Sequence, residues 1–276
     1  MNKVKELIKK RHSVRAYTNK KIESTKKESL LQLMKKLKSE HYRFELIDYT
    51  FDDNIKIGTY GMISGAHSFI VGILNNNDIA DKSVALDFGE SFEQLILKAT
   101  ELNLSTCWMV STFNSDTIET LINLSSKEDI VMVSPVGYGN EKNLKHRFTR
   151  FIAKADKRKP WDELFYKENF KNPLAKTTDD QINDILEAVR LAPSAANKQP
   201  WRIVKNDLVF DLYIDPKAYM SEKNQKINVT YNDMGIARYH FKLMANHYGY
   251  NNKWFKKEDI LNSKTYVGSI KLEKGQ

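Results

Sequence analysis

Two blocks of this 276-residue chain share one spacing, and that constrains the fold more than any other feature. Asp87-Phe88-Gly89 is followed by a helical pattern and then by Trp108, 21 residues after the aspartate. Asp233-Met234-Gly235 is followed by a similar pattern and then by Trp254, again 21 residues on, and the two blocks lie 146 residues apart. Each reads as a long buried helix, with Phe92, Leu95, Ile96, Ala99 and Leu102 in the first and Ile236, Ala237, Tyr239, His240, Leu243, Met244 and Tyr248 in the second. Asn103 and Gly249 close them, residue types that suit a left-handed helix stop. The period is too long for a solenoid, so the sequence predicts a duplicated domain.

The remaining pattern places elements around these helices. Residues 28–38, with Leu30, Leu31, Leu33, Met34 and Leu37 apolar, read as an amphipathic helix, and 180–191 read as another. Strands are expected at 44–49, 68–74, 130–137, 201–205, 209–214 and 266–272 from their β-branched and aromatic content. Asn172-Pro173 interrupts the pattern between 168 and 178, and Thr178-Asp179-Asp180 offers caps for the next helix. The expectation is an α+β protein with a first half at 1–168 and a shorter second half at 169–276.

Composition narrows the class. Hydrophobic residues at 41% and aromatics at 11% argue for a packed globular chain. Cys107 is the single cysteine, which excludes an intrachain disulfide and a multi-cysteine metal site and points to a reducing, cytoplasmic setting. No run of eighteen apolar residues occurs, and the lysine-interrupted first ten residues do not read as a signal peptide, so no membrane partner is expected. Net charge is +9, from 44 basic and 35 acidic residues. The lysines are interleaved with acidic residues, and even the run from Lys154 to Lys159 contains Asp156, which favours a solvated basic surface over a nucleic-acid interface.

Two polar runs carry chemistry. Arg11-His12-Ser13-Val14-Arg15 sets two guanidiniums, an imidazole and a hydroxyl within five residues, donors that suit a phosphorylated ligand. Ala192-Pro193-Ser194-Ala195-Ala196-Asn197-Lys198-Gln199-Pro200-Trp201 is a tight, proline-bounded polar loop about 180 residues later. Cys107 lies in a hydrophobic passage and reads as packing; His67 reads as structural.

Both runs resemble the nitroreductase family of FMN-dependent oxidoreductases. The resemblance implies a nitroreductase-like α+β fold, here as two tandem halves forming an intrachain pseudo-dimer, so that a monomer would suffice to complete the site. It implies FMN as cofactor, with Arg11, Ser13, Arg15 and the basic residue Arg158, which stands before Lys159-Pro160, on the phosphate, and with His12 carried along in the same run. Pro193, Ser194, Ala195 and Asn197 match the loop that the family contributes from the partner subunit. Met109, Ser111 and Thr112 match the segment beside the reactive face of the flavin, although a Gly is usual where Thr112 stands. Tyr60, in the glycine-rich run 58–67, matches the start of the segment on the pyrimidine side. The first half lacks the proline-bounded loop and the second lacks the Arg-rich run, so one FMN per chain is expected.

The activity implied is hydride transfer from NADH or NADPH through the flavin to an electron-poor small molecule such as a nitroaromatic or quinone. No catalytic side chain is needed, since the flavin carries the chemistry. A non-catalytic FMN-binding or storage module needs the same cradle and stands as the alternative.

Overall fold

The computed structural model describes residues 3–49, 63–110, 112–140, 157–219, 226–258 and 265–275. Seven α-helices and nine strands are found among them: α1 (Lys3–Lys10), α2 (Ser24–Leu37), β1 (Tyr42–Asp48), β2 (Ser68–Asn75), α3 (Lys82–Glu101), β3 (Ser105–Thr106), α4 (Ser115–Glu119), β4 (Glu128–Gly137), α5 (Trp161–Leu164), β5 (Phe165–Lys167), α6 (Asp180–Leu191), β6 (Trp201–Asn206), β7 (Val209–Ile214), α7 (Val229–His247), β8 (Tyr250–Phe255) and β9 (Thr265–Lys274). They build two sheets, ordered β1-β2-β4-β3 and β5-β6-β7-β9-β8. Apart from the short parallel pair β5–β6, all pairings within these sheets are antiparallel. Strand β5 lies before the expected division at 168/169 yet joins the second sheet, where Phe165 pairs with Ile203.

Strand β2 explains its place in the first sheet. Its apolar run is buried on both faces: Ile70 and Leu74 join the main core, while Phe69, Val71 and Ile73 join a second cluster with Ile47, Ile130 and Val133. A continuous apolar strand of this kind requires cover on both sides. The main core takes side chains from both sheets and from α3, α6 and α7, so it runs unbroken from Phe88 to Phe241.

Helices α3 and α7 pack against each other at the centre, and their contact repeats itself. A Cβ on Gly89 would overlap the carbonyl of Asn232, and a Cβ on Gly235 would overlap the carbonyl of Leu86. Gly235 follows Gly89 by 146 residues and Asn232 follows Leu86 by 146, so each helix offers the other the same glycine and the same carbonyl. Reciprocal contact of this sort is the signature of a two-fold axis. The helix ends obey the same shift: Asn103 has φ 60° and Gly249 has φ 77°, both left-handed stops as the sequence predicts.

The ends of several elements differ from the sequence pattern. Helix α2 starts at Ser24 instead of residue 28, because its first turn is polar and carries no apolar position for periodicity to reveal. Strands β3, β5 and β8 were not expected; β8 reads Tyr250-Asn251-Asn252-Lys253-Trp254-Phe255 and lies at the edge of its sheet, where polar residues meet solvent. Helix α6 matches its expected bounds of 180–191, with the Asp179 carboxylate accepting from the N–H groups of Gln181 and Ile182.

Candidate functional site

Helix α1 delivers the first polar run. Ile8 buries the apolar stripe of the helix, Lys9 and Lys10 complement its C-terminal dipole, and the chain leaves it at Arg11. From there it runs extended along the first sheet: Ser13 bridges Thr106, the Val14 N–H donates to the Thr106 carbonyl at 2.9 Å, and Ser64 N–H donates to the Arg15 carbonyl at 2.9 Å. Arg11 is buried. His12 Nδ1 faces the Lys10 carbonyl at 2.9 Å and so donates to it.

The second polar run leaves the C-terminus of α6 and folds into a loop held from within. Ser194 Oγ accepts from the Gln199 N–H at 2.8 Å, and Asn197 Nδ2 donates to the Lys157 carbonyl at 2.7 Å. Arg158 Nη1 donates to Asn197 Oδ1 at 3.2 Å and Nη2 donates to the Leu191 carbonyl at 3.2 Å, so Arg158 braces the loop that it borders. Ala196, Asn197 and Gln199 all have positive φ, 47°, 53° and 48°. Ala196 and Gln199 held left-handed cost roughly 1–2 kcal/mol each, Asn197 less, and such strain clusters at ligand clamps.

One cavity of about 340 Å³ is lined by both runs. Arg11, His12, Ser13, Arg15, Arg158, Pro193, Ser194, Ala195 and Asn197, nine of the residues expected from the sequence, meet there across a separation of some 180 positions. Met109 and Thr112 are not among its lining residues. Trp108 and Val110 are, whereas Met109 turns away to pair with Val133, the alternation that extended backbone imposes. Tyr60 and Ser111 lie outside the described residues.

Sequence reasoning missed the floor of the cavity. Asn232, Asp233 and Ile236 of α7 line it; Asp233 and Ile236 read from the sequence only as part of the repeat, and Asn232 gives no signal there. Both oxygens of Asp233 lie within reach of the Ala195 N–H, at 3.0 and 3.2 Å, which ties the strained loop to the central helix. Burial pushes the Asp233 carboxyl well above the usual carboxylate range, opposed only in part by that N–H. Burial likewise raises the Cys107 thiol, against the pull of Arg15 and of a hydrogen bond with Ser13, which keeps it protonated behind the cavity wall.

The cavity is electropositive and partly aromatic. Among the described lining residues Lys9, Arg11, Arg15 and Arg158 stand against one carboxyl, that of Asp233, and the Trp108 ring supplies a flat apolar surface. That ring is fixed from behind: Trp108 Nε1 donates to Glu93 Oε2 at 2.9 Å, and the other Glu93 oxygen lies 2.9 Å from His240 Nε2, with both residues fully buried. His240 Nδ1 faces the Ala188 carbonyl at 3.0 Å, so one network ties α3, α6 and α7 to the aromatic wall. Two buried polar atoms at the cavity, Arg15 Nη1 and Asn232 Oδ1, have no hydrogen-bond partner among the described residues.

The paired halves with a basic cavity between them are a nitroreductase-type architecture. A putative nitroreductase of Thermotoga maritima, solved as a crystal structure, superposes with a TM-score of 0.60 at 20% identity, covering 99% of this chain and 93% of that one. An FMN-dependent nitroreductase from Clostridium difficile covers 50% of this chain and 88% of its own, at 21% identity and a TM-score of 0.40. A putative NADH oxidase from Clostridium acetobutylicum covers 49% and 88%, at 21% identity and 0.38. No curated protein matches the sequence significantly. Residues 3–245 match the family described as "Putative TM nitroreductase", and the chain belongs to that family. No helix among the described residues is long and apolar enough to cross a membrane.

Proposed function

We propose that this chain is an FMN-dependent oxidoreductase, which draws reducing equivalents from NADH or NADPH and passes them to an electron-poor small molecule such as a nitroaromatic or quinone. One observation carries the reading: the Arg11–Arg15 run and the Pro193–Asn197 loop, remote in sequence, line one cavity. The donor set suits the cofactor. Arg11, Arg15 and Arg158 would hold the phosphate, Ser13 and the loop would meet polar groups, and Trp108 and Ile236 would pack against the ring. The unsatisfied Arg15 Nη1 is a buried donor that an anionic ligand would complete. Flavin, when bound, supplies hydride chemistry, and the protein supplies orientation and exclusion of water.

A single site per chain fits the asymmetry of the two central helices. Shifted by 146 residues, the floor of the cavity corresponds to Leu86, Asp87 and Glu90, and Trp108 corresponds to Trp254. At that counterpart Arg238 packs its guanidinium 4.8 Å from the Trp254 ring centroid and bonds both Asp87 and Glu90, with Lys242 also on Glu90. Where one end of the repeat leaves space beside a tryptophan, the other is filled with paired charge.

The first test is colour. The purified protein is expected to absorb between about 370 and 450 nm, as oxidised flavin does, with one FMN per chain. It is also expected to oxidise NADH or NADPH when a nitro or quinone acceptor is added; bound flavin without that turnover would leave a storage module instead. Arg11→Ala combined with Arg158→Ala should weaken FMN binding by about 3–6 kcal/mol, roughly a hundredfold to ten-thousandfold, with far-UV circular dichroism unchanged. Flavin retained through purification of that double variant refutes the phosphate assignment.

A further inference from the structure

The two sides of the cavity differ in hydrogen-bonding character. Arg11, Ser13, Arg15 and Arg158 bring donors to the cavity, whereas the α7 floor brings Asn232 and Asp233, of which the Asp233 oxygens already face the Ala195 N–H. Asn232 is 1% exposed, yet its Oδ1 has no hydrogen-bond partner among the described residues. A buried acceptor left unmade costs roughly tenfold to a hundredfold in the folding equilibrium, so its presence calls for a reason. The repeat supplies a control within the same chain: 146 residues earlier, at the same place in α3, the fold takes an apolar residue, Leu86, and buries it. Packing alone is therefore satisfied by leucine at this position. The polar choice occurs only at the end of the repeat that opens on the cavity.

We propose that Asn232 is a ligand-selecting residue, whose Oδ1 accepts a hydrogen bond from a donor group on the bound molecule while the arginines opposite take its anionic end. Its ligand is thus bipolar, anionic at one end and carrying an N–H or O–H donor at the other. The proposal rests on the FMN reading, in which that donor is either the ring imide N–H or a hydroxyl of the ribityl chain. Two consequences separate it from a structural role for Asn232. Replacing the side chain should stabilise the empty protein, because an orphan acceptor is removed, and should weaken the ligand complex, because the acceptor is lost. A purely structural asparagine would move both measurements the same way or neither.

The test uses the full-length protein, stripped of flavin, and the variant Asn232→Leu, which copies the counterpart residue. Thermal melting of the empty proteins and fluorescence-quenching titrations are run with FMN, with FMN methylated on the imide nitrogen, and with a flavin phosphate lacking the ribityl hydroxyls. Asn232→Leu is expected to melt higher than wild type and to bind FMN about tenfold more weakly. One of the two analogues should lose about tenfold on wild type and little on the variant, which identifies the donor as imide or hydroxyl. Asn232→Ala, which adds no bulk, should show the same loss of affinity. Equal FMN affinity for wild type and both variants overturns the proposal and leaves the FMN reading standing; so does a wild type that binds both analogues as tightly as FMN. Wild type that takes up no FMN at all overturns both.

Discussion

Gly235→Ala is expected to destabilise this protein by about 3 kcal/mol or more, lowering the thermal midpoint by roughly 6–12 °C. The reason is the identity of the atoms in the way. An added Cβ would overlap the Leu86 carbonyl oxygen and would stand 2.9 Å from the Glu90 nitrogen, and both belong to the backbone of α3. A side chain could rotate aside; a helix backbone cannot, so relief requires the two central helices to separate. That separation would loosen the core shared by both sheets, since Phe88 and Phe92 on one helix and Met234 and Phe241 on the other belong to one cluster. Gly249→Asn serves as the control. Among the described residues nothing lies within 4 Å of the notional Cβ of Gly249, and its counterpart Asn103 already occupies the same left-handed conformation, so the change should cost well under about 1 kcal/mol. A Gly235→Ala protein that melts within about 2 °C of wild type would show that the helices are not held at backbone contact.

This interface also explains why so much was legible from the sequence. Close approach of two helices leaves room only for glycine at the crossing, and an intramolecular two-fold requires that glycine twice at one offset, so the Asp-x-Gly repeat announced the arrangement. Alternation and β-branching located β1, β2, β4, β6, β7 and β9 because their apolar positions reach the core. The polar edge strand β8 and the three-residue β5 gave no such signal: Asn251, Asn252 and Lys253 are set into the sheet by pairing with Glu273, Leu272 and Lys271, partners that no local pattern discloses.

The candidate site divides in the same way. Residues that act as a local cluster, such as Arg11 with Ser13 and Arg15 or Pro193 with Ser194 and Asn197, stood out by composition and by resemblance. Asn232 and Asp233 did not, because Asp233 reads only as part of the repeat and Asn232 as one polar residue near the start of a buried helix, and only the space beside them makes them part of a cavity. The pairing of Glu93 with His240 was hidden for a related reason. Each is fully buried on a separate helix, and the pair becomes visible only when α3 and α7 are laid side by side, 147 positions apart in sequence.

Arg238→Met is expected to cost about 3 kcal/mol, and adding Glu90→Leu is expected to recover most of that loss. Arg238 is buried and its guanidinium is shared among three neighbours: Glu90 through Nε, Asp87 Oδ1 through Nη2 at 2.5 Å, and the Trp254 ring. The carboxylates differ in what they lose. The Asp87 side chain is 58% exposed and can return to water, whereas that of Glu90 is 12% exposed and cannot. Removing one partner of a buried pair typically costs about 3–5 kcal/mol because the other charge stays desolvated. Lys242, which also bonds Glu90, supplies partial compensation and places the expectation at the lower end of that range. In the double variant the buried acid is gone as well, and apolar side chains of similar length can fill the space beside Trp254, as Phe92 does beside Trp108 at a ring separation of 4.7 Å. Urea midpoints for wild type, both single variants and the double variant close the cycle. A double variant no more stable than Arg238→Met would mean that the cation–π contact with Trp254, and not the ion pair with Glu90, holds this end of the repeat together, because only the former would remain unrestored.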